Sequence, residues 1–319
     1  MDEDNQGVFL SRKNKLNISP TPEIRFYNVS LNYYSGIALK QCKRLDYTVS
    51  VAYLNQDRQE YPHKWQVDKG NIFFNQKQPS LVLEEISVFL LKAIYPINIT
   101  TDHWGGLIEI TNHNEILDRW SSIKKKIIKE HRGDFVFKLI KKFERLLKNP
   151  TKLQLSLSNE IFWSVFFAKR YQEYGNSYQK KVAITFPLEA YKTPLIYKGL
   201  MKLNSSLSTH NSIELDYEGK TVIPSLSNLH VGKESHTLTS ALDIHFNLDI
   251  ETKIPNSVRA FCDVYDETKN EDISQMEILI TLDKYKPIIN DRSPENGKEK
   301  IPNEELTPKK KKKWFSFGF

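Results

Sequence analysis

Cysteine is scarce: Cys42 and Cys262 are the only two in 319 residues. Neither belongs to a CxxC pair or lies at metal spacing from a histidine, so the sequence offers no disulfide framework and no zinc knuckle. Cys262 falls in an alternating stretch and reads as a buried thiol. Only 12 glycines are present, and none forms a GxGxxG or GxxxxGK[ST] loop. GxSxG, HExxH and EF-hand patterns are missing too, so no recognised phosphate cradle, nucleophile elbow or metalloprotease site supports an enzymatic reading. No apolar run reaches the length of a bilayer span. The start, MDEDNQG, is acidic and polar, unlike the basic and then apolar start of a signal peptide. The expectation is a non-enzymatic, cytoplasmic protein with no cofactor and no transmembrane segment.

What is present argues for a folded chain. Hydrophobic residues make up 39% and aromatics 12%, too many for general disorder. The net charge of +7 is concentrated: Arg119 to Lys152 hold twelve basic and three acidic residues, and Lys309 to Lys313 add five more positive charges. The rest of the chain is net acidic. Two basic regions, not a uniformly basic surface, set the charge.

Residues 1–22 read as a flexible arm. From Glu23, RFYNVSLNYY and LDYTVSVAYLN alternate with period two, and Leu45, Tyr47, Val49, Val51 and Tyr53 share a face. HKWQVDKGNIFFNQK suggests a hairpin turning at Asp68, Lys69 and Gly70. QPSLVLEEISVFLLKAIYP predicts a helix with Ser80 as cap, apolar nearly all round and therefore interior. INITTDHWGGLIEITN predicts a hairpin turning at Gly105 and Gly106. Amphipathic helices follow over 112–131, with Ile116, Trp120, Ile123 and Ile127 inward, and over 134–149, with Phe135, Leu139, Phe143, Leu146 and Leu147 on one side. A third aromatic-rich helix is expected over 158–175. From Lys181 strands return. SIELDYEGKTVIPSL suggests a hairpin at Glu218-Gly219, and TLTSALDIHFNLDIE is the clearest alternating strand, with His245 facing out. The fold class expected is α+β, with antiparallel sheets at both ends of the chain and a central helical layer. Residues 23–285 read as a single domain, or as two lobes dividing near 176–181. Residues 286–308 read as a disordered linker.

Candidate sites are few. Asp102, His103 and His113 flank the Gly105-Gly106 hairpin and are weak candidates for a metal or for a dispersed active site. Lys124, Lys125, Lys126 and Lys129, with Lys141, Lys142 and Arg145, form a secondary basic face suited to an acidic surface or, less favourably, to nucleic acid, since no stacking aromatics interleave them. The strongest functional signal is the last stretch, in which Lys309, Lys310, Lys311, Lys312 and Lys313 precede Trp314, Phe315, Phe317 and Phe319. On an anionic membrane each lysine contributes up to about 1 kcal/mol and the rings insert at the interface, roughly 5–8 kcal/mol in sum. On a protein, the rings would fill a pocket while the lysines pair with an acidic rim.

KKKKKWFSFGF resembles the effector segment of the myristoylated alanine-rich C-kinase substrate family, a polybasic and aromatic stretch that binds acidic lipids and calmodulin. Here the basic residues all precede the rings. The resemblance implies a mode of binding, with Ser316 in the position of a phosphorylated serine. The functional expectation is a binding or scaffold protein attached through its tail to a protein assembly or an anionic membrane surface.

Overall fold

The protein is described by a computed structural model covering residues 13–35, 39–55, 61–188, 193–223, 237–283 and 285–286. In chain order its elements are β1 (Ile24–Ser35), β2 (Lys40–Tyr53), β3 (His63–Phe74), α1 (Val82–Ile94), β4 (Ile97–Thr101), β5 (Leu107–Ile110), α2 (His113–Glu130), α3 (Asp134–Leu147), α4 (Pro150–Ser158), α5 (Ile161–Phe166), β6 (Gln179–Phe186), β7 (Leu195–Leu203), β8 (Ile213–Val222), β9 (Leu238–Leu248), β10 (Pro255–Asp266) and β11 (Glu271–Leu282). The linker expected over 286–308 and the tail over 309–319 lie outside the described residues, apart from Lys286.

The strands do not form a sheet at each end of the chain with a central helical layer between them. They form one antiparallel sheet of eleven strands, in the order β5-β4-β3-β2-β1-β11-β10-β9-β8-β7-β6. The two expected sheets are joined by β1 and β11, which pair from Tyr27↔Leu282 to Ser35↔Ser274. Alternation reports which side chains face the core, but it is silent about which strand lies alongside. The strands that meet here are the most distant in sequence.

Two expected turns are absent for a related reason. Asp68, Lys69 and Gly70 lie within β3, opposite Ser50, Val49 and Thr48. Glu218 and Gly219 lie within β8, opposite Asp243 and Leu242. Gly219 sits across from Gly199. A Cβ on Gly219 would come within 2.3 Å of Tyr217 Oη, and one on Gly199 within 2.1 Å of the Glu218 carbonyl. Tyr217 is buried and donates its hydroxyl to the Tyr197 carbonyl at 2.7 Å. These glycines make room for a buried tyrosine and mark close approach within a strand, not a reversal.

β5 and β6 are opposite edges of the sheet, so the chain between them must cross it. Residues 160–178 make the crossing through the interior. Glu160 meets Lys69 of β3 at 2.8 Å, Phe166 packs edge-on against Tyr27 of β1, and the Arg170 guanidinium lies 5.1 Å from the Phe246 ring of β9. Tyr174 then donates to Met201 Sδ of β7. Every residue from Ile161 to Ala168 is buried, which explains why this stretch reads as aromatic on all sides. The single helix expected over 158–175 is instead the short α5 followed by an irregular buried segment; the separate helix α4 precedes it, its Asn149 cap accepting from Lys152 N at 2.9 Å. The arm is docked where it is described: Leu16 is fully buried and its amide donates to the Gln172 carbonyl.

Candidate functional site: an apolar and basic end of the helical layer

Helix α2 runs antiparallel to both α1 and α3. Arg119 near the start of α2 donates to the Ala93, Ile94 and Pro96 carbonyls at the end of α1. Further along, Lys126 covers the Phe89 ring at 4.8 Å and His131 approaches Glu85 at 3.7 Å. Trp120 packs on Phe143 of α3 at 4.9 Å, and His113 bonds the Leu147 carbonyl at 2.7 Å. The first turn of α1, the last turn of α2 and the first turn of α3 are therefore at the same end of the layer.

That end exposes large apolar side chains. Leu81, Val82 and Leu83 are 64%, 53% and 52% exposed, and Phe135 and Phe137 are 58% and 52% exposed. Ile128 of α2 is also exposed. The α1 helix is thus not interior on all sides, as its composition suggested: within it only Ile86, Ala93 and Ile94 are buried. In α3 the buried residues are Val136, Ile140, Phe143 and Leu147; of the expected stripe Phe143 and Leu147 are buried, Leu139 and Leu146 are half-buried against the core, and Phe135 faces out. At 100° per residue, Lys138, Lys141, Lys142 and Arg145 fall opposite the buried stripe, with Phe135 and Phe137 on its two flanks.

The basic side chains divide into two groups. Lys124 is a crosslink between helices, 2.6 Å from Glu144, and this bond is the leading cause that holds the Glu144 carboxyl below its usual range. Lys126 lies over Phe89 and 3.9 Å from Glu130. Lys125, Lys129, Lys141, Lys142 and Arg145 are exposed and make no ion pair among the described residues. These last five, with Lys138, are available to an outside anion.

The three metal candidates are engaged separately. Asp102 Oδ1 accepts from Trp104 N at 3.0 Å and Gly106 N at 2.7 Å, closing the turn in which Gly105 has φ of 95°. Its other oxygen meets Lys169 at 3.1 Å. His103 packs against Trp104, with ring centroids 3.9 Å apart and the planes tilted by 43°. His113 is turned to Leu147, as above. Among the described residues no group of three or more His, Cys, Asp and Glu is placed to hold a metal, and no helix is long and apolar enough to cross a membrane. The tail candidates, Lys309 to Lys313 with Trp314, Phe315, Phe317 and Phe319, lie outside the described residues.

The exposed phenylalanines were not identified as site residues from sequence, although a signal was there. Residues 134–147 hold eight large apolar side chains, more than one stripe of a helix that long can bury, so some had to face outward.

No protein-family model matches the chain, and no curated protein matches it. Among solved structures it is similar to one of lipovitellin, described as showing lipid–protein interactions, with a TM-score of 0.44 and 8% identity. The match covers 88% of this chain, which spans 26% of that one.

Proposed function

We propose that this chain is a non-enzymatic binding protein that attaches peripherally to an anionic membrane through the exposed end of its helical layer, with the stretch Lys309 to Phe319 as a second, tethered contact. It works at the cytoplasmic face. The observation that carries the reading is the pair Phe135 and Phe137, both more than half exposed, flanking the cationic strip of Lys138, Lys141, Lys142 and Arg145. Exposed rings beside unpaired ammonium groups match an interface in which headgroups are negative and the layer beneath is apolar. A patch of this kind on a soluble surface is otherwise unfavourable in water. Sequence and geometry then ask for the same chemistry in two places, and two weak contacts on one surface bind far more tightly than either alone.

The test is co-sedimentation of the full chain with neutral and with anionic vesicles. Anionic vesicles are expected to pellet it and neutral ones to leave it in solution. Inserting two half-exposed rings is worth about 2 kcal/mol, so Phe135→Ser with Phe137→Ser weakens binding roughly thirtyfold. Removing residues 308–319 weakens it as well. If only the deletion has an effect, attachment belongs to the tail alone and the helical contact is refuted. If the full chain ignores anionic vesicles, the membrane reading fails and a protein assembly becomes the partner to seek.

A further inference from the structure

The sheet ends differently at its two edges. β5 is only four residues long, and the side chain of Gln154, from α4, donates to its Ile108 carbonyl. That edge is short and partly covered. β6 has eight residues and pairs with β7 on one side, from Gln179↔Lys202 to Phe186↔Leu195; among the described residues nothing pairs with its other side. An unprotected strand of that length presents a row of unpaired amides and carbonyls to any extended chain.

The side chains around this edge are selective. β6 carries Lys180 and Lys181 and no acidic residue. On the outward face of the sheet, Lys198 of β7 lies directly opposite Lys220 of β8. Both are exposed, and neither makes an ion pair among the described residues. Like charges placed opposite one another in a sheet are unfavourable, and behind Lys180 and Lys181 this pair adds to the positive field at the edge. One step along the same face, Ile196 and Val222 are 57% and 64% exposed. Cations and exposed aliphatic side chains thus alternate beside an open ladder.

We infer that the open edge of β6 receives an extended, acidic segment of a partner protein as an added antiparallel strand. The ladder supplies affinity and the lysines choose the partner. A second copy of this chain is the wrong occupant, because β6 carries no acidic residue: antiparallel pairing with itself would set Lys180 against Thr185 and Lys181 against Ile184, leaving both lysines without an anion.

The probe is a synthetic ten-residue peptide of alternating glutamate and valine, titrated into the full chain by fluorescence anisotropy and compared with a lysine–valine peptide. Saturable binding of the acidic peptide alone is expected. Two N-methylated versions, blocked at the odd or the even residues, separate strand addition from simple charge attraction: one should lose binding and the other retain it. Lys180→Glu with Lys181→Glu, both exposed on β6 itself, should weaken binding about tenfold. The inference is overturned if the acidic peptide does not bind, if both N-methylated peptides bind like the parent, or if the double variant binds as well as the native chain. Sedimentation velocity without peptide covers the remaining case: a dimer that Lys181→Glu strengthens would make β6 a self-pairing edge and refute the acidic partner.

Discussion

Lys69 and Glu160 hold the point at which the chain leaves the helical layer and enters the sheet interior. The Lys69 side chain is 5% exposed, with its ammonium 2.8 and 3.0 Å from the two Glu160 oxygens. It also lies 4.8, 5.4 and 5.1 Å from the ring centroids of Tyr47, Tyr95 and Phe162. Tyr47 and Tyr95 are fully enclosed, and burial, followed by the nearby Glu160 charge, drives both phenols well above their ordinary pKa. The two partners differ in their access to water, since the Glu160 side chain is 38% exposed. Removing the lysine leaves a carboxylate that water can reach. Removing the carboxylate's charge leaves a buried ammonium with only ring faces around it. An uncompensated buried charge costs about 3–5 kcal/mol, and the partial access of water on the Glu160 side lowers that to about 1–3 kcal/mol for Glu160→Gln. Lys69→Met keeps the volume and removes a desolvated charge, so its cost stays within about 1 kcal/mol. Urea unfolding of the two variants, at matched m-values, reads the difference directly. Lys69→Met proving the more damaging change would refute the reasoning, because the cation would then be a net stabiliser and not a group that needs its partner.

Three further outcomes are expected. Phe166→Ala, in the buried crossing, should cost about 3–5 kcal/mol by urea unfolding, whereas Phe135→Ala should stay within about 0.5 kcal/mol; equal costs would mean that the crossing segment is not the core. Burial pushes the Cys262 thiol up to about 11, while Cys42 is exposed, so the native chain should titrate one thiol with an aromatic disulfide reagent at pH 8 and two after unfolding. The His245 imidazole has its pKa raised, chiefly by its 2.7 Å hydrogen bond to Asp216. The stabilisation from that pair is fully present below about pH 6.5 and fades as the pH climbs through the raised value. Both groups are about half exposed, so Asp216→Asn should cost only about 0.5 kcal/mol at pH 6 and nothing at pH 9; a larger loss at pH 9 contradicts the sign.

Strands and their inward faces were legible from alternation alone. In β9, Leu238, Leu242, Ile244, Phe246 and Leu248 are buried and His245 points out, because a period of two leaves no other solution for a half-buried strand. The joining of both ends of the chain into one sheet was not legible, since pairing β1 with β11 depends on contacts more than two hundred residues apart. Gly70 and Gly219 misled because glycine permits both a turn and a close approach, and only the partner strand tells which. The first member of the α3 stripe was missed, since Phe135, Val136 and Phe137 are consecutive and any one of them could have begun it, while Phe143 and Leu147 were placed correctly. Burial of Val136 in that row is what turns the two phenylalanines outward and creates the candidate site.

The most direct measurement places a reporter at that site. In a Cys42→Ser background, Phe137→Cys carries an environment-sensitive fluorophore, Cys262 being too deeply buried to compete for label. With anionic vesicles the emission should shift to the blue and be quenched by lipids spin-labelled in the upper acyl chain, and neutral vesicles should leave it unchanged. An emission indifferent to anionic vesicles that nevertheless pellet the protein would contradict the account, because the helical face would then stay in water while another part of the chain holds the membrane.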